Sequence, residues 1–173
     1  MEDRSYVRRS SFYYSKAINI LAFTMTIKMN MRDLEIAKKR LREESLTLSI
    51  VKNGKIIFET VSHGISGFLE AVERCNGGLE GASVADRIAG KVIALLCVYA
   101  RVKAVYSIIL SEGAKAVFEN YAVYHQWKDL VENILDIDKI GICPFEKLAA
   151  EISDPTEAYR RVKALQKSFK HSK

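Results

Sequence analysis

The sequence predicts an α/β protein in which helices cover both faces of a mixed β-sheet. Two observations carry this prediction. Two apolar runs flank Asn53–Gly54, a pair typical of a β-hairpin, and segments with helical and strand patterns alternate after that hairpin. The chain has 173 residues, of which 49% are hydrophobic, enough for one domain with a core of its own.

The first elements are justified by periodicity and turn chemistry. A helix is predicted over 31–44, where apolar residues recur at helical spacing between charges. Strands are predicted at about 46–52 and 55–60 on either side of Asn53–Gly54, because both turn positions of a type I′ hairpin need positive φ. A further helix is predicted in "GISGFLEAVERC", with an apolar face formed by Ile65, Phe68, Leu69 and Val72.

The second half of the chain alternates strand and helix. "ASVAD" indicates a short buried strand and "AGKVIALLCVYARV" a buried helix. "KAVYSIIL" indicates a strand, "SEGAKAVFENY" a helix, and "AVYHQWKDL" a strand or its end. A loop in "ILDIDKIGI" precedes two closing helices, each with a proline near its first position and a glutamate two residues later. This order favours helices on both faces of the sheet.

Charge and composition divide the chain into three parts. Residues 1–30 show no clear period, so we expect a poorly ordered N-terminal extension before a domain at 31–168 and a basic tail at 169–173. The net charge is +6, of which residues 1–45 contribute +4 and residues 155–173 contribute +5, which leaves the middle acidic. A nucleic-acid partner is therefore not predicted, because such a surface needs basic side chains clustered on the folded body.

The sequence also predicts a cytoplasmic protein with no membrane attachment. The apolar run "AINILAFTMTI" is about half the roughly 20 residues that a membrane span requires, and no small-residue cleavage site follows it. Cys75, Cys97 and Cys143 are an odd number of well-separated cysteines, which argues against a disulfide framework and fits a reducing compartment. A homo-oligomer through an exposed sheet edge stays open.

Polar residues gather where helices are predicted to start, the place where ligands bind in open α/β sheets. The first such point comprises Asp86, Gly90 and Lys91. Gly90 would permit close backbone approach, and Lys91 would lie in a first helical turn, where the helix dipole disfavours a cation. Lys91 is therefore expected to meet an anion, either Asp86 or a ligand; the alternative is an ordinary surface ion pair. The spacing is not that of a P-loop.

Two further points follow later in the chain. Ser111 and Glu112 come after the next predicted strand, and Cys143 and Glu146 open a late helix. A thiol at the expected N-cap of that helix feels the positive helix end, which favours the thiolate and a nucleophilic or ligand-contacting role for Cys143. The alternative is a half-buried thiol behind a tight turn. Cys97, within "ALLCVY", is expected in the core.

No metal or cofactor site is predicted. His63, His125 and His171 form neither HxxxH nor any Cys/His cluster with zinc spacing. His125 shares a predicted strand with Trp127 and is expected to pack there.

Four pieces of the sequence together resemble the prokaryotic family known as domain of unknown function 1893. They are "LTLSIVKNGKIIFET", "GGLEGASVADRIAGKVIALL", "KAVYSIILSEGAKAVFE" and "GICPFEKLAAEISDPTEAYRRV", and the resemblance covers about residues 31–168. It implies a three-layer α/β/α sandwich similar to the cytidine deaminases. It does not bring their zinc chemistry, because "ADRIAGK" and "SEGAKAV" stand where those enzymes carry H-x-E and P-C-x-x-C. The family motifs fall on Asp86, Lys91, Cys143, Pro144 and Glu146.

These residues predict a polar pocket without a metal on a deaminase-like scaffold. One hypothesis is an enzyme acting on a small anionic or nucleotide-like metabolite, with Asp86 as base or acceptor, Lys91 as anion anchor and Cys143 as nucleophile. The alternatives are a non-catalytic sensor of such a ligand and a partner-binding module that would contact nucleic acid or ribosomes through the basic chain ends, which the acidic middle disfavours. The sequence leaves catalysis open. In the first two hypotheses the ligand would also be contacted by Gly90, Ser111, Glu112 and Glu146.

Overall fold

The structure is a computed structural model, and it describes residues 28, 31–136, 138 and 140–171. The predicted N-terminal extension, apart from one residue, lies outside the described residues.

The described part of the chain forms six helices and five strands. In chain order they are α1 (31–43), β1 (Leu48–Lys52), β2 (Lys55–Thr60), α2 (Ile65–Cys75), β3 (Ser83–Ala89), α3 (Lys91–Tyr99), β4 (Ala104–Ser111), α4 (Glu112–Asn120), β5 (Tyr124–Val131), α5 (Pro144–Ala150) and α6 (Pro155–His171). The predicted hairpin and the alternation after it are confirmed. Bounds differ by up to three residues. In particular, β3 continues past the predicted "ASVAD", α3 ends before the predicted "ARV", and α6 extends into the predicted basic tail.

The five strands form one mixed sheet in the order β2-β1-β3-β4-β5. β1 is antiparallel to both β2 and β3, whereas β3, β4 and β5 run parallel to one another. The hairpin turn adopts the predicted positive φ at both positions, 54° at Asn53 and 74° at Gly54. The buried carboxylate of Asp33 in α1 accepts the N–H groups of both turn residues at 2.7 Å, so α1 fixes the hairpin as well as covering it.

Helices cover both faces of the sheet, which confirms the predicted three-layer α/β/α sandwich. One face packs against α2 to α6, and Phe68, Leu96 and Phe118 lie in that core with Val84 and Val105 of the sheet. The opposite face packs against α1 in a smaller core, formed by Ala37, Leu41, Leu46, Val51 and Ala85. No helix in the described part of the chain is both long and apolar enough to cross a membrane.

Candidate functional site

Asp86 lies inside a strand rather than at the mouth of a helix. The predicted strand "ASVAD" ended at this residue, but β3 stays in register with β4 as far as Ala89, which pairs with Leu110. Val84, two residues before Asp86, belongs to the core under α2 to α6. Because side chains alternate along a strand, the Asp86 carboxyl faces the same helix layer.

Burial changes the protonation of Asp86. The residue is 9% exposed, and removal from water raises the pKa of its carboxyl from 3.8 to about 7. Backbone N–H groups of Ile88 and Arg87 oppose this rise in pKa, and the Ile88 N–H donates to Asp86 Oδ1 at 3.0 Å. Asp86 also acts on Cys97, whose pKa is raised well above its usual value by burial and then by the Asp86 charge. The prediction that Cys97 lies in the core is confirmed.

Ser107 stands beside Asp86 on the neighbouring strand. The two residues are register partners of the parallel β3–β4 pair, so their side chains leave the same face of the sheet. Ser107 is fully buried, and within the described residues its hydroxyl oxygen has no hydrogen-bond partner. A buried hydroxyl without a partner costs about 1–3 kcal/mol, so this one calls for an explanation.

An aromatic pair continues the same row on β5. Trp127 is the register partner of Ser107, and its ring stacks on His125 at 5.5 Å between centroids. His125 in turn lies 5.5 Å from the ring of Phe118 in α4, which confirms that it packs as predicted. The row therefore runs from a carboxyl through a hydroxyl to an indole that is 38% exposed.

A second polar cluster joins the starts of α3 and α4 to α5. Glu146 accepts the backbone N–H of Lys91 on both carboxylate oxygens, at 3.1 and 2.9 Å, and accepts the Ser111 hydroxyl at 2.9 Å. Ser111 also caps α4 by accepting the Ala114 N–H at 3.1 Å. A carboxylate at a helix N-terminus is favoured by the dipole, so Glu146 serves α3 as a cap supplied from another helix. We call Glu146, Ser111 and Lys91 the Glu146 cluster.

Gly90 is where this cluster touches the backbone most closely. A Cβ built on Gly90 would clash with Oε2 of Glu146 and would crowd the carboxyl carbon and Oε1. Glycine at this position therefore makes room for a side chain of the same protein. The sequence predicted a close approach here and left its partner unknown.

Lys91 does not pair with Asp86, one of the two anions expected for it. Its Nζ donates to the backbone carbonyl of Ala150 at 3.1 Å, and Ala150 is the last residue of α5. The Lys91 charge is disfavoured by the dipole of α3, at whose start it lies, but it is favoured by the dipole of α5, whose C-terminal end is negative. An anion-anchoring role for Lys91 would have to compete with this contact.

The other two predicted site residues, Cys143 and Glu112, make no hydrogen bond or ion pair with Asp86 in the described part of the chain. Cys143 is the N-cap of α5, as predicted, and is partly buried, but its side chain makes no capping hydrogen bond. Glu112 is exposed in the first turn of α4. The structure therefore brings together Gly90, Lys91, Ser111 and Glu146, and its second polar group combines Asp86 with a residue that was not predicted.

No group of three or more His, Cys, Asp or Glu side chains suited to a metal ion occurs among the described residues. A separate groove of about 800 Å³ lies at the other end of α3, between α2 and α6. The stacked rings of Tyr99 and Tyr159, 4.6 Å apart, form part of its wall. None of the predicted site residues lines this groove.

Sequence reasoning missed Ser107 and Trp127. The signal for Ser107 was present, since it is a hydroxyl residue inside the apolar strand "AVYSIIL". A polar residue in a strand whose sheet is covered on both faces is informative, because its side chain needs a hydrogen-bond partner in the protein or in a ligand. Trp127 carried no comparable signal, because its place in the row depends on strand register.

Comparisons with known proteins agree with the resemblance. The family model described as TM1506, domain of unknown function (DUF1893), matches residues 36–165. Among solved structures, the chain is similar to a DUF1893 family protein (TM1506) from Thermotoga maritima, with 28% identity and a TM-score of 0.72. That similarity covers 77% of this chain and 89% of the other. No match is found among curated protein sequences.

Proposed function

The chain belongs to the DUF1893 family, whose description names no activity, so its function has to follow from the site. We propose that the protein binds a small polar metabolite of nucleoside-like character at Asp86 and Ser107. The observation that carries this proposal is the buried Ser107 hydroxyl without a partner beside a buried carboxyl. A ligand that bonds both groups would remove the cost of the unpartnered hydroxyl.

The pair lies in the middle of two adjacent parallel strands. Asp86 is the fourth of the seven residues of β3 and Ser107 the fourth of the eight residues of β4, and as register partners they leave the same face of the sheet. We also propose that the scaffold is deaminase-like, as the family resemblance implies. Asp86 keeps 9% of its surface exposed and Ser107 none, so a ligand reaches the Ser107 hydroxyl only when neighbouring side chains move.

The charges favour a neutral ligand group over an anionic one. No cation is paired with Asp86 in the described part of the chain, and the Lys91 ammonium is engaged by Ala150. A carboxyl whose pKa is about 7 donates or accepts a proton near neutral pH, and the Ser107 hydroxyl can do both. The amide or amidine edge of a nucleobase presents a donor and an acceptor side by side, which matches these two groups.

Nucleoside binding gives a direct test. Wild-type protein would be titrated with cytidine, uridine, adenosine and guanosine at millimolar concentrations while the melting temperature is followed. We expect saturable stabilisation by at least one of them. The stabilisation should be lost in Asp86→Asn and Ser107→Ala. The matched control is Ser49→Ala, which changes another fully buried strand serine whose hydroxyl already bonds Glu59.

The outcomes separate the alternatives. No shift with any of the four nucleosides, or equal shifts in wild type and both site variants, would contradict the proposal. Product detected by mass spectrometry after incubation would identify an enzyme, and binding without product would identify a sensor. If product forms, Cys143→Ser tests the predicted nucleophile, because loss of turnover with retained binding is expected only for a reacting thiol.

A further inference from the structure

The two edges of the sheet are built differently. At the β2 edge, the β1–β2 register shifts between Ile50 and Val51. The Arg40 guanidinium of α1 also donates two hydrogen bonds of 2.8 Å to the Glu59 carboxylate of β2. Irregular pairing and charged side chains are common ways of protecting an edge strand from other chains. β5 at the opposite edge keeps one register with β4 over its whole length, from Tyr124 to Val131. It has no bulge that would turn the edge away.

The side chains of β5 also leave apolar surface in water. Tyr124 is 45% exposed, and Trp127 and Leu130 are each 38% exposed. Large apolar side chains on a regular edge strand mark a surface that pairs with another strand.

The backbone of β5 shows which groups point outward. The Tyr124 N–H donates to the Lys103 carbonyl on the β4 side at 3.1 Å. Because N–H and C=O directions alternate along a strand, the even-numbered residues of β5 face β4. The backbone groups of His125, Trp127 and Asp129 therefore face away from the sheet.

We propose that β5 pairs antiparallel with β5 of a second copy of this chain, with a two-fold axis through the Trp127 pair. In this register each Trp127 opposes its symmetry mate, and the outward groups of three residues on each strand form six backbone hydrogen bonds. The sheet then continues across the dimer. The interface goes beyond the ligand site and does not depend on it.

Side-chain complementarity selects this register. A two-fold axis perpendicular to the sheet makes one residue oppose itself, so only a few registers exist. Centring on Trp127 opposes His125 to Asp129 and Tyr124 to Leu130, an attractive pair and an apolar pair. Centring on Lys128 or Asp129 would instead oppose two like charges. A second copy is thus the occupant whose charges match this edge.

Mass and fluorescence test the dimer on the full chain. Light scattering should give twice the chain mass of 19.5 kDa at micromolar concentration. Trp127 is the one tryptophan in the sequence, so its emission reports this strand alone. We expect the emission maximum to shift to shorter wavelength as concentration rises through the dissociation constant, because pairing removes the indole from water.

Two variants at one position separate pairing from folding. Asp129→Pro removes an outward N–H that β4 does not use, and an edge strand tolerates proline at such a position. Losing one hydrogen bond in each copy should weaken the dimer on the order of 30-fold. Asp129→Ala keeps the N–H, removes the contact with His125 of the other copy and the exposed ion pair with Lys128, and should weaken the dimer less. Circular dichroism and the melting temperature of the diluted variants report whether the monomer is still folded.

The register has its own test. Trp127→Cys should form a disulfide between copies under mild oxidation, because directly opposed hydrogen-bonded residues have Cα atoms about 5.5 Å apart. The linked peptide would be identified by its mass. A monomer at all concentrations with unchanging emission would overturn the proposal. So would a dimer that a folded Asp129→Pro leaves intact, because such a dimer uses another surface.

Discussion

The Glu146 cluster and the Asp86–Ser107 pair are close in the chain, with Ser107 and Ser111 four residues apart on β4, yet their hydrogen bonding differs. In the Glu146 cluster, both carboxylate oxygens accept hydrogen bonds, and Ser111 both donates and accepts. In the pair, burial raises the pKa of Asp86, and Ser107 has no partner among the described residues. A partnered buried carboxylate holds helices together, whereas an unpartnered group costs free energy that a structural role does not offset.

Removing the Glu146 carboxylate should have the largest effect. Glu146→Ala leaves the Lys91 N–H and the Ser111 hydroxyl without their shared acceptor. We expect the free energy of unfolding to fall by about 5 kcal/mol, from two unsatisfied donors and a cavity. Urea denaturation followed by circular dichroism measures it. Exposed Glu112→Ala is the control and should change stability by less than about 0.5 kcal/mol.

Because of Asp86, the free energy of unfolding should decrease as the pH rises. Its pKa is about 7 in the folded protein and near 3.8 when unfolded, so the folded state keeps a proton that the unfolded state has lost. The free energy of unfolding should therefore decline from pH 4 to pH 7 and then level off. The decline from this group is on the order of 4 kcal/mol.

Asp86→Asn should abolish that slope. The variant and wild type should be similarly stable near pH 4, and the variant should be the more stable of the two at pH 8. Chemical denaturation at several pH values measures the difference, with the exposed Glu112→Gln as control. A parallel pH dependence of wild type and Asp86→Asn would show that Asp86 is charged at neutral pH and that its neighbours stabilise the charge.

The smallest expected effect contrasts one substitution at two serines of β4. Ser111→Ala removes the hydrogen bond to Glu146 and the cap of α4, which should cost about 2 kcal/mol. Ser107→Ala removes a hydroxyl without a partner and should be neutral or stabilise the fold by about 1 kcal/mol. Equal losses at the two serines would mean that Ser107 is satisfied, and the contrast between the two groups would disappear.

Local chemistry in the sequence was enough to predict the fold. Asn53–Gly54 needs no tertiary context to indicate a hairpin, and helical spacing shows which face of α1 and α2 is buried. The end of β3 was missed because the polar pair Asp86–Arg87 resembles a strand terminus. Pairing with β4 keeps the strand extended for three more residues, a tertiary effect that local preference does not contain.

The candidate site was predictable only in its residue types. The sequence identified Gly90, Lys91, Ser111 and Glu146 separately, and the structure joins them. Their role in ligand binding stays a prediction. The sequence did not indicate that the Lys91 ammonium bonds the end of α5, which lies 59 residues away in the chain. Ser107 beside Asp86 depends on strand register, which the sequence does not state.

The two contacts between Lys91 and α5 have a kinetic consequence. A helix of seven residues is too short to persist alone in water, so α5 exists only while it is attached. Glu146 holds its first turn to the Lys91 N–H, and the Lys91 ammonium holds its last carbonyl. Amide protons of α5 should therefore exchange with deuterium at one common rate, set by a single opening event, while those of α3 stay protected for longer.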